Sequence, residues 1–287
     1  MKLIAGSNHS LLARQVSGKL DILFERISVK RFKDNEIEVH FNTCVKDEDI
    51  YVFQSLSNPV NDYFVELLML VDRLKQKGAR RIIGVIPYFG YARSPSSFEL
   101  IAELLESVGL SQIIAIGLHD PKMKTFLKIP IRNLDVVDLF GKDIQKRSHG
   151  FMPLIVAPDK GAEKRARDLA HYLKSDFALL HKERCADGFL KSIKISGEIQ
   201  GRNCVIVDDI VDSGSTLISA AATLKKLGAL DIKAYVIHAV GGEECIKSLK
   251  QSGVSDLTVT DTINKGKLAE IKVLGVGEIL SEAIKNN

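Results

Sequence analysis

A chain of 287 residues with 45% hydrophobic and 26% charged residues has the composition of a globular protein and the length for one large or two ordinary domains. Its net charge of +4 is only mildly basic, with no basic run interleaved with aromatics, so no nucleic-acid partner is expected. No apolar stretch reaches membrane-spanning length, since the closest, "YFVELLMLVDRL", is broken by Glu66 and Asp72. The apolar patch in "MKLIAGSNHS" is too short for a signal peptide, and Cys44, Cys185, Cys204 and Cys245 form no C-x-x-C pair; reduced thiols in the cytoplasm are expected.

In chain order, short β-branched runs alternate with helical patterns. "KLIAG" reads as a strand. Residues 27–41, "ISVKRFKDNEIEVHF", alternate polar and apolar around "KDNE" and predict a hairpin. "IYVFQS", an amphipathic segment at 60–77, "IIGVI", a second such segment at 97–107 and "QIIAIGL" follow. The polar stretch "GKDIQKRSHGFMP" breaks the pattern and places a domain boundary near 145, giving units 1–145 and 146–287. Beyond it come "LIVAP", a helix at 162–174, "NCVIVDD", a helix at 215–227, "IKAYVIHA", "LTVTD" and "KVLGV". In the helix at 215–227, Leu217, Ile218, Ala221, Leu224 and Leu227 share one face, with Gly228 as its stop. This alternation predicts an α/β protein of two doubly wound domains with mainly parallel sheets, covered by helices on both sides. No internal duplication is visible by eye.

"CVIVDDIVDSGSTLISAA", residues 204–221, concentrates the chemistry. Ligands of open parallel sheets bind beyond the carboxyl ends of strands, where Asp208 and Asp209 end the "CVIV" run. The turn that follows leads into a helix. Gly214 lets backbone approach a ligand, the turn amides and helix N-terminus favour a phosphate, and Ser213, Ser215 and Thr216 add hydroxyls. This is no Walker loop, because the G-x-x-x-x-G-K-[ST] spacing is missing. Capping explains one polar residue here; it leaves three carboxylates and three hydroxyls in nine positions unexplained. A phosphate beside two carboxylates points to a phosphorylated sugar, with a metal ion to soften the charge.

This stretch resembles the phosphoribosyl-diphosphate (PRPP) binding loop of type I phosphoribosyltransferases and of ribose-phosphate pyrophosphokinases, the PRPP synthetases. "RFKDNEIEVHF", "IPYFGYAR", "GLHD", "APDKGAEKRA" and "HKER" are similar to the synthetase family, in its order and over nearly the whole chain. The resemblance implies the reaction ATP plus ribose 5-phosphate to PRPP plus AMP. It implies that Asp212, Ser213, Gly214, Ser215 and Thr216 hold the 5-phosphate. Asp208 and Asp209 then bind the ribose hydroxyls, directly or through magnesium. It gives Lys182 and Arg184 as the catalytic loop pair, His119 and Asp159 as ligands of Mg2+, and Phe32, Asp34, Glu36 and Arg93 as the ATP site. The adenine contacts often lie in a neighbouring subunit, which implies a homo-oligomer. Taken alone, Lys182 and Arg184 read as a solvated loop, and His119 as a hydrogen-bonded structural histidine.

The chain departs from the family pattern after Arg93. Ser94 and Pro95 stand where Gln and Asp are usual, and the loop before the next helix, "SPSS" at Ser94–Ser97, is shorter by several residues. Gly117, Asp120, Lys160 and Glu163 are also unusual. Three functions therefore stand at this level: a synthetase; a phosphoribosyltransferase, which shares the loop but gives no reason for "IPYFGYAR" or the Lys-x-Arg pair; and a non-catalytic or poorly active relative that regulates an active partner.

Overall fold

The computed structural model describes all residues except 149, 185–189, 265 and 267–270, and leaves aside the side chains of 121, 181–184 and 190–194. The chain divides into two compact units, Met1–Leu134 with Asp261–Asn264 and Gly275–Asn287, and Asp135–Thr260 with Lys265–Leu274.

The first unit begins with β1 (Lys2–Ala5), α1 (Ser10–Leu20) and β2 (Leu23–Arg26), followed by the expected hairpin, β3 (Ser28–Arg31) and β4 (Ile37–His40). It continues with β5 (Asp49–Phe53), α2 (Val60–Gln76), β6 (Arg81–Ile86), α3 (Pro95–Val108), β7 (Gln112–Ile116), a 3-10 turn at Pro121–Phe126 and β8 (Ile131–Leu134). Six strands form one sheet in the order β2-β1-β5-β6-β7-β8, and the hairpin is a separate two-stranded sheet. Every pairing in the larger sheet is parallel. That explains why strands such as "RIIGVI" read as continuous apolar runs: both faces are covered. Leu67, Leu70 and Leu74 of α2 are wholly buried in the same core as Ile4, Ile50 and Val52, each contributing about 1.5–3 kcal/mol by leaving water.

The second unit runs through α4 (Val137–Arg147), β9 (Leu154–Ala157), α5 (Glu163–Leu173), β10 (Phe177–Arg184), β11 (Leu190–Ser196), β12 (Asn203–Val211), α6 (Ser215–Lys226), β13 (Asp231–Ala239), α7 (Glu243–Ser252), β14 (Asp256–Thr260) and β15 (Lys272–Leu274). Its sheet order is β11-β10-β9-β12-β13-β14-β15, parallel apart from the β10–β11 edge pair. Without that edge strand, the order repeats the first unit: first strand beside second on one side and beside third on the other. The duplication that sequence did not show is plain in the topology. Gly228 takes φ 82° just past α6, the stop expected of it.

The division differs from a boundary near 145 at both ends. Helix α4 belongs with the second sheet because its polar face is bonded there. Tyr235 of β13 donates to Asp143 at 2.8 Å, Lys272 of β15 pairs with Asp143, and Arg147 pairs with Asp256 of β14. The final helix, α8 (Gly277–Lys285), rejoins the first unit. It buries Leu280, Ala283 and Ile284, its Ala283 carbonyl accepts from Arg132 at 2.9 Å, and Glu278 pairs with Lys19 of α1 at 2.6 Å. Truncating a wholly buried leucine leaves a cavity as well as losing transfer free energy. Leu280→Ala is therefore expected to destabilise the protein by about 2–5 kcal/mol, read as a lower urea midpoint followed by far-ultraviolet circular dichroism.

Candidate active site

In the second unit the chain crosses from one side of the sheet to the other between β9 and β12, the place where open α/β sheets form a ligand crevice. β12 does not end at Val207 as the apolar run suggests. It pairs with β13 through Asp208–Val236, Ile210–His238 and Val211–Ala239. Asp208 and Asp209 thus lie within β12, 7% and 6% exposed. The Asp209 amide donates to Asp208 Oδ1 at 2.9 Å.

The loop after β12 is shaped by close backbone approach. Val240 and Gly241 donate their amides to the Val211 carbonyl at 2.8 and 2.9 Å. A Cβ on Gly241 would stand 2.0 Å from the Asp212 carbonyl oxygen, so only glycine fits. Gly214 takes φ 78°, a left-handed conformation that favours glycine, and opens α6. A Cβ on it would meet Cys245 Sγ at 3.0 Å. Ser213 Oγ donates to Ser215 Oγ at 3.2 Å, while Asp212, Ser213 and Ser215 are exposed and Thr216 half-buried. The helix start, with no acidic residue in its first turn, is suited to an anion.

Asp159 follows β9, the strand next to β12. Its Oδ1 accepts from the Ala162 amide at 3.2 Å, which orients the half-buried carboxylate. Lys182 and Arg184 fall near the end of β10, on the other side of β9; their side chains lie outside the described residues.

Sequence reasoning missed Arg165. It lies on α5 with Nη1 3.8 Å from Asp208 Oδ1 and Nη2 3.6 Å from Asp209 Oδ2. In "EKRAR" nothing separates it from its basic neighbours. Its inward position follows from the helical phase shared with Ala166 and Leu169, both buried, a signal legible once the helix is placed against β12.

The first unit carries the residues matched to ATP. Phe32, Asp34 and Glu36 form the exposed tip between β3 and β4. Asp34 Oδ1 accepts from the Glu36 amide at 3.2 Å, Asn35 takes φ 73°, and Lys30 Nζ stands 4.6 Å from the centre of the Phe32 ring. Arg93 is exposed in the turn after β6, and His119 is exposed after the neighbouring β7. Helix α3 starts at Pro95, directly after Ser94 as N-cap.

Fold and site define an α/β protein of the type I phosphoribosyltransferase kind. Residues 1–109 match the family model for the N-terminal domain of ribose phosphate pyrophosphokinase, and residues 123–252 match the phosphoribosyl transferase domain. The ribose-phosphate pyrophosphokinase of Granulibacter bethesdensis is 37% identical over 99% of this chain and 96% of its own length. That of Haemophilus influenzae is 35% identical over 99% and 95%. The crystal structure of phosphoribosylpyrophosphate synthetase from Mycobacterium smegmatis superposes with a TM-score of 0.91 at 28% identity, covering 99% of this chain and 97% of that one. The chain belongs to the ribose-phosphate pyrophosphokinase family.

Burial drives the Asp208 carboxyl above its ordinary range, the neighbouring Asp209 adds to the rise, and Arg165 opposes it. A carboxyl raised on folding binds more protons in the native state, so its contribution to stability falls as pH rises above the ordinary carboxylate value of about 4. Asp208→Asn removes that penalty. Its melting temperature without ligand is expected to match wild type near pH 4 and to exceed it by a growing margin as pH rises, measured by differential scanning calorimetry at intervals above that pH.

Proposed function

We propose that the protein is a magnesium-dependent ribose-phosphate diphosphokinase, converting ATP and ribose 5-phosphate to PRPP and AMP. The observation that carries this reading is the buried carboxylate pair followed at once by a glycine-shaped turn and a helix N-terminus, at the crevice of a sheet in a chain of this family. A phosphorylated pentose matches all three features: an anion for the turn, and vicinal hydroxyls for the acids.

In this reading, Asp212, Ser213, Gly214, Ser215 and Thr216 bind the 5-phosphate through turn amides, hydroxyls and the end of α6. Asp208 and Asp209 accept hydrogen bonds from the ribose hydroxyls, which leaves the 1-hydroxyl free. Its oxygen forms a bond to the β-phosphorus of ATP and gives up its proton to solvent, while the bond from that phosphorus to the oxygen bridging to the α-phosphate breaks, so AMP leaves and the pyrophosphoryl group is transferred. Such transfers rest on positioning and charge stabilisation rather than a covalent nucleophile. Lys182 and Arg184 supply cations where negative charge develops. Arg93 reaches the ATP phosphates, Phe32 stacks on adenine, and Asp34 and Glu36 accept from its amino group, contributed by a second copy in a homo-oligomer. A magnesium ion fits the donor chemistry at Asp159, an oriented oxygen ligand that a hard cation favours, with His119 as the second, nitrogen ligand. When bound, it would neutralise polyphosphate charge. The expected setting is cytoplasmic, with no nucleic acid or membrane involved; no described helix is long and apolar enough to cross a membrane.

The immediate start of α3 after Arg93 and Ser94 favours one second reading, a subunit of low activity that regulates an active relative. Phosphorus NMR of purified protein with ATP, magnesium and ribose 5-phosphate separates the two. PRPP and AMP appearing together in equal amounts support the diphosphokinase; silence alone, with activity altered in an added active synthetase, supports the subunit. Lys182→Ala is expected to lower turnover by about 100-fold or more with little change in ribose 5-phosphate affinity, because its charge is needed mainly in the transition state. Steady-state kinetics with undiminished turnover in this variant would remove Lys182 from its role.

A further inference from the structure

We propose that Arg165 is a positioning residue for the pentose: its guanidinium bridges Asp208 and Asp209, holds the two carboxylates side by side, and offsets their charge so that an anionic sugar phosphate can settle beside them. The proposal rests on the ribose 5-phosphate reading of the loop and assigns a role to a residue outside that loop.

The geometry is that of a fork laid across a pair. One terminal nitrogen of Arg165 faces Asp208 at 3.8 Å and the other faces Asp209 at 3.6 Å. Both acids are more than nine-tenths buried, where water screens their mutual repulsion poorly and an uncompensated charge is costly. The sugar phosphate brings further negative charge to the same crevice. Arg165 places a counter-charge beside the two carboxylates that the sugar phosphate would meet there.

The other cations of α5 are engaged elsewhere. Lys164 pairs with Asp168 at 2.6 Å. Arg167 pairs with Glu163 at 2.9 Å and lies 4.3 Å from the centre of the Phe177 ring. Arg165 is turned inward, its side chain 17% exposed.

The separations themselves carry information. At 3.6 and 3.8 Å the guanidinium is beyond hydrogen-bonding range of those carboxylate oxygens, and Nη1 is buried without a hydrogen-bond partner. Arg165 therefore acts on the pair through charge and shape, without using the oxygens' acceptor capacity. A tight bidentate pair would use the lone pairs that sugar hydroxyls need. Here they are not spent on Arg165.

The test is calorimetric titration of ribose 5-phosphate into wild type, Arg165→Gln and Arg165→Lys, with steady-state kinetics on each. The Gln variant is expected to raise both Kd and KM for ribose 5-phosphate at least about 10-fold, with kcat within about 3-fold of wild type. Lys, which keeps the charge, is expected to bring the affinity back to within about 3-fold. A role in packing alone would lower the amount of folded enzyme, and so kcat, without this selective loss or its rescue. Binding by the wild type with an unchanged Kd in Arg165→Gln overturns the proposal while leaving the loop assignment intact. No binding by the wild type overturns the loop assignment and this proposal with it. If Arg165→Gln does not fold, the melting temperature of Arg165→Gln combined with Asp208→Asn decides: a gain larger than the one Asp208→Asn gives the wild type supports the charge pairing, and a gain no larger overturns it.

Discussion

Two neighbouring carboxylates are kept inside a parallel sheet, and the rest of the site is arranged around that cost. Asp208 and Asp209 lie in β12 with almost no exposure, where ionisation of both is opposed by burial and by each other. Two features make the arrangement tolerable: a ladder to β13 on either side of Asp209 that holds the backbone, and a guanidinium from α5 across both acids. The turn beyond is built for the opposite purpose, gathering donors with no acid in the first turn of α6. Acceptors and donors lie a few residues apart on one loop, which suits a molecule carrying hydroxyls at one end and phosphate at the other.

The repeated strand order shows what specialisation required. Beyond β1 and β5 the first unit also has a crevice position, but its groups are bound to one another. Gln54 donates to Glu66 at 2.8 Å, and Ser7 donates to the same carboxylate at 2.6 Å. Ser55 donates to the Thr262 carbonyl at 2.6 Å. A Cβ on Gly6 would sit 2.0 Å from Gln54 Oε1. These bonds fill part of that crevice with the unit's own groups, while Gln54 Oε1 and Asn8 Oδ1 stay buried without a hydrogen-bond partner. In the other copy the strand places two acids beside a glycine turn. The difference lies in which side chains follow the third strand in sheet order, with the backbone plan held in common.

The shortened segment after Arg93 sits on the nucleotide half of the assignment. Pro95 occupies the first helical position of α3, where its missing amide costs nothing, and Phe98 and Ile101 anchor the helix in the core. The turn before it is equally packed: Phe89 and Phe98 have ring centres 5.0 Å apart, and a Cβ on Gly90 would stand 2.5 Å from the Leu56 carbonyl oxygen. The chain closes this end compactly, with the cap of α3 directly after Arg93.

Much of this was legible in the residues alone. Period and composition placed the helices at 60–77 and 215–227 to within a residue, because amphipathic spacing and a glycine stop are local properties. Alternation around "KDNE" marked the hairpin for the same reason, and "VDDIVDSGST" marked the candidate site because so many charged and small polar residues have no use in an ordinary turn. Local pattern could not say that α4 belongs to the second unit, since Asp143 and Arg147 find their partners on β13, β14 and β15, far along the chain. Nor could it return α8 to α1, or choose Arg165 from a run of basic residues. The amino-acid sequence determined the elements, the family and the place of the candidate loop, which depend on neighbours in the chain. Tertiary structure alone decided the unit boundary, the duplicated strand order and the cation that faces the acids, because those depend on contacts between residues that sequence distance does not relate.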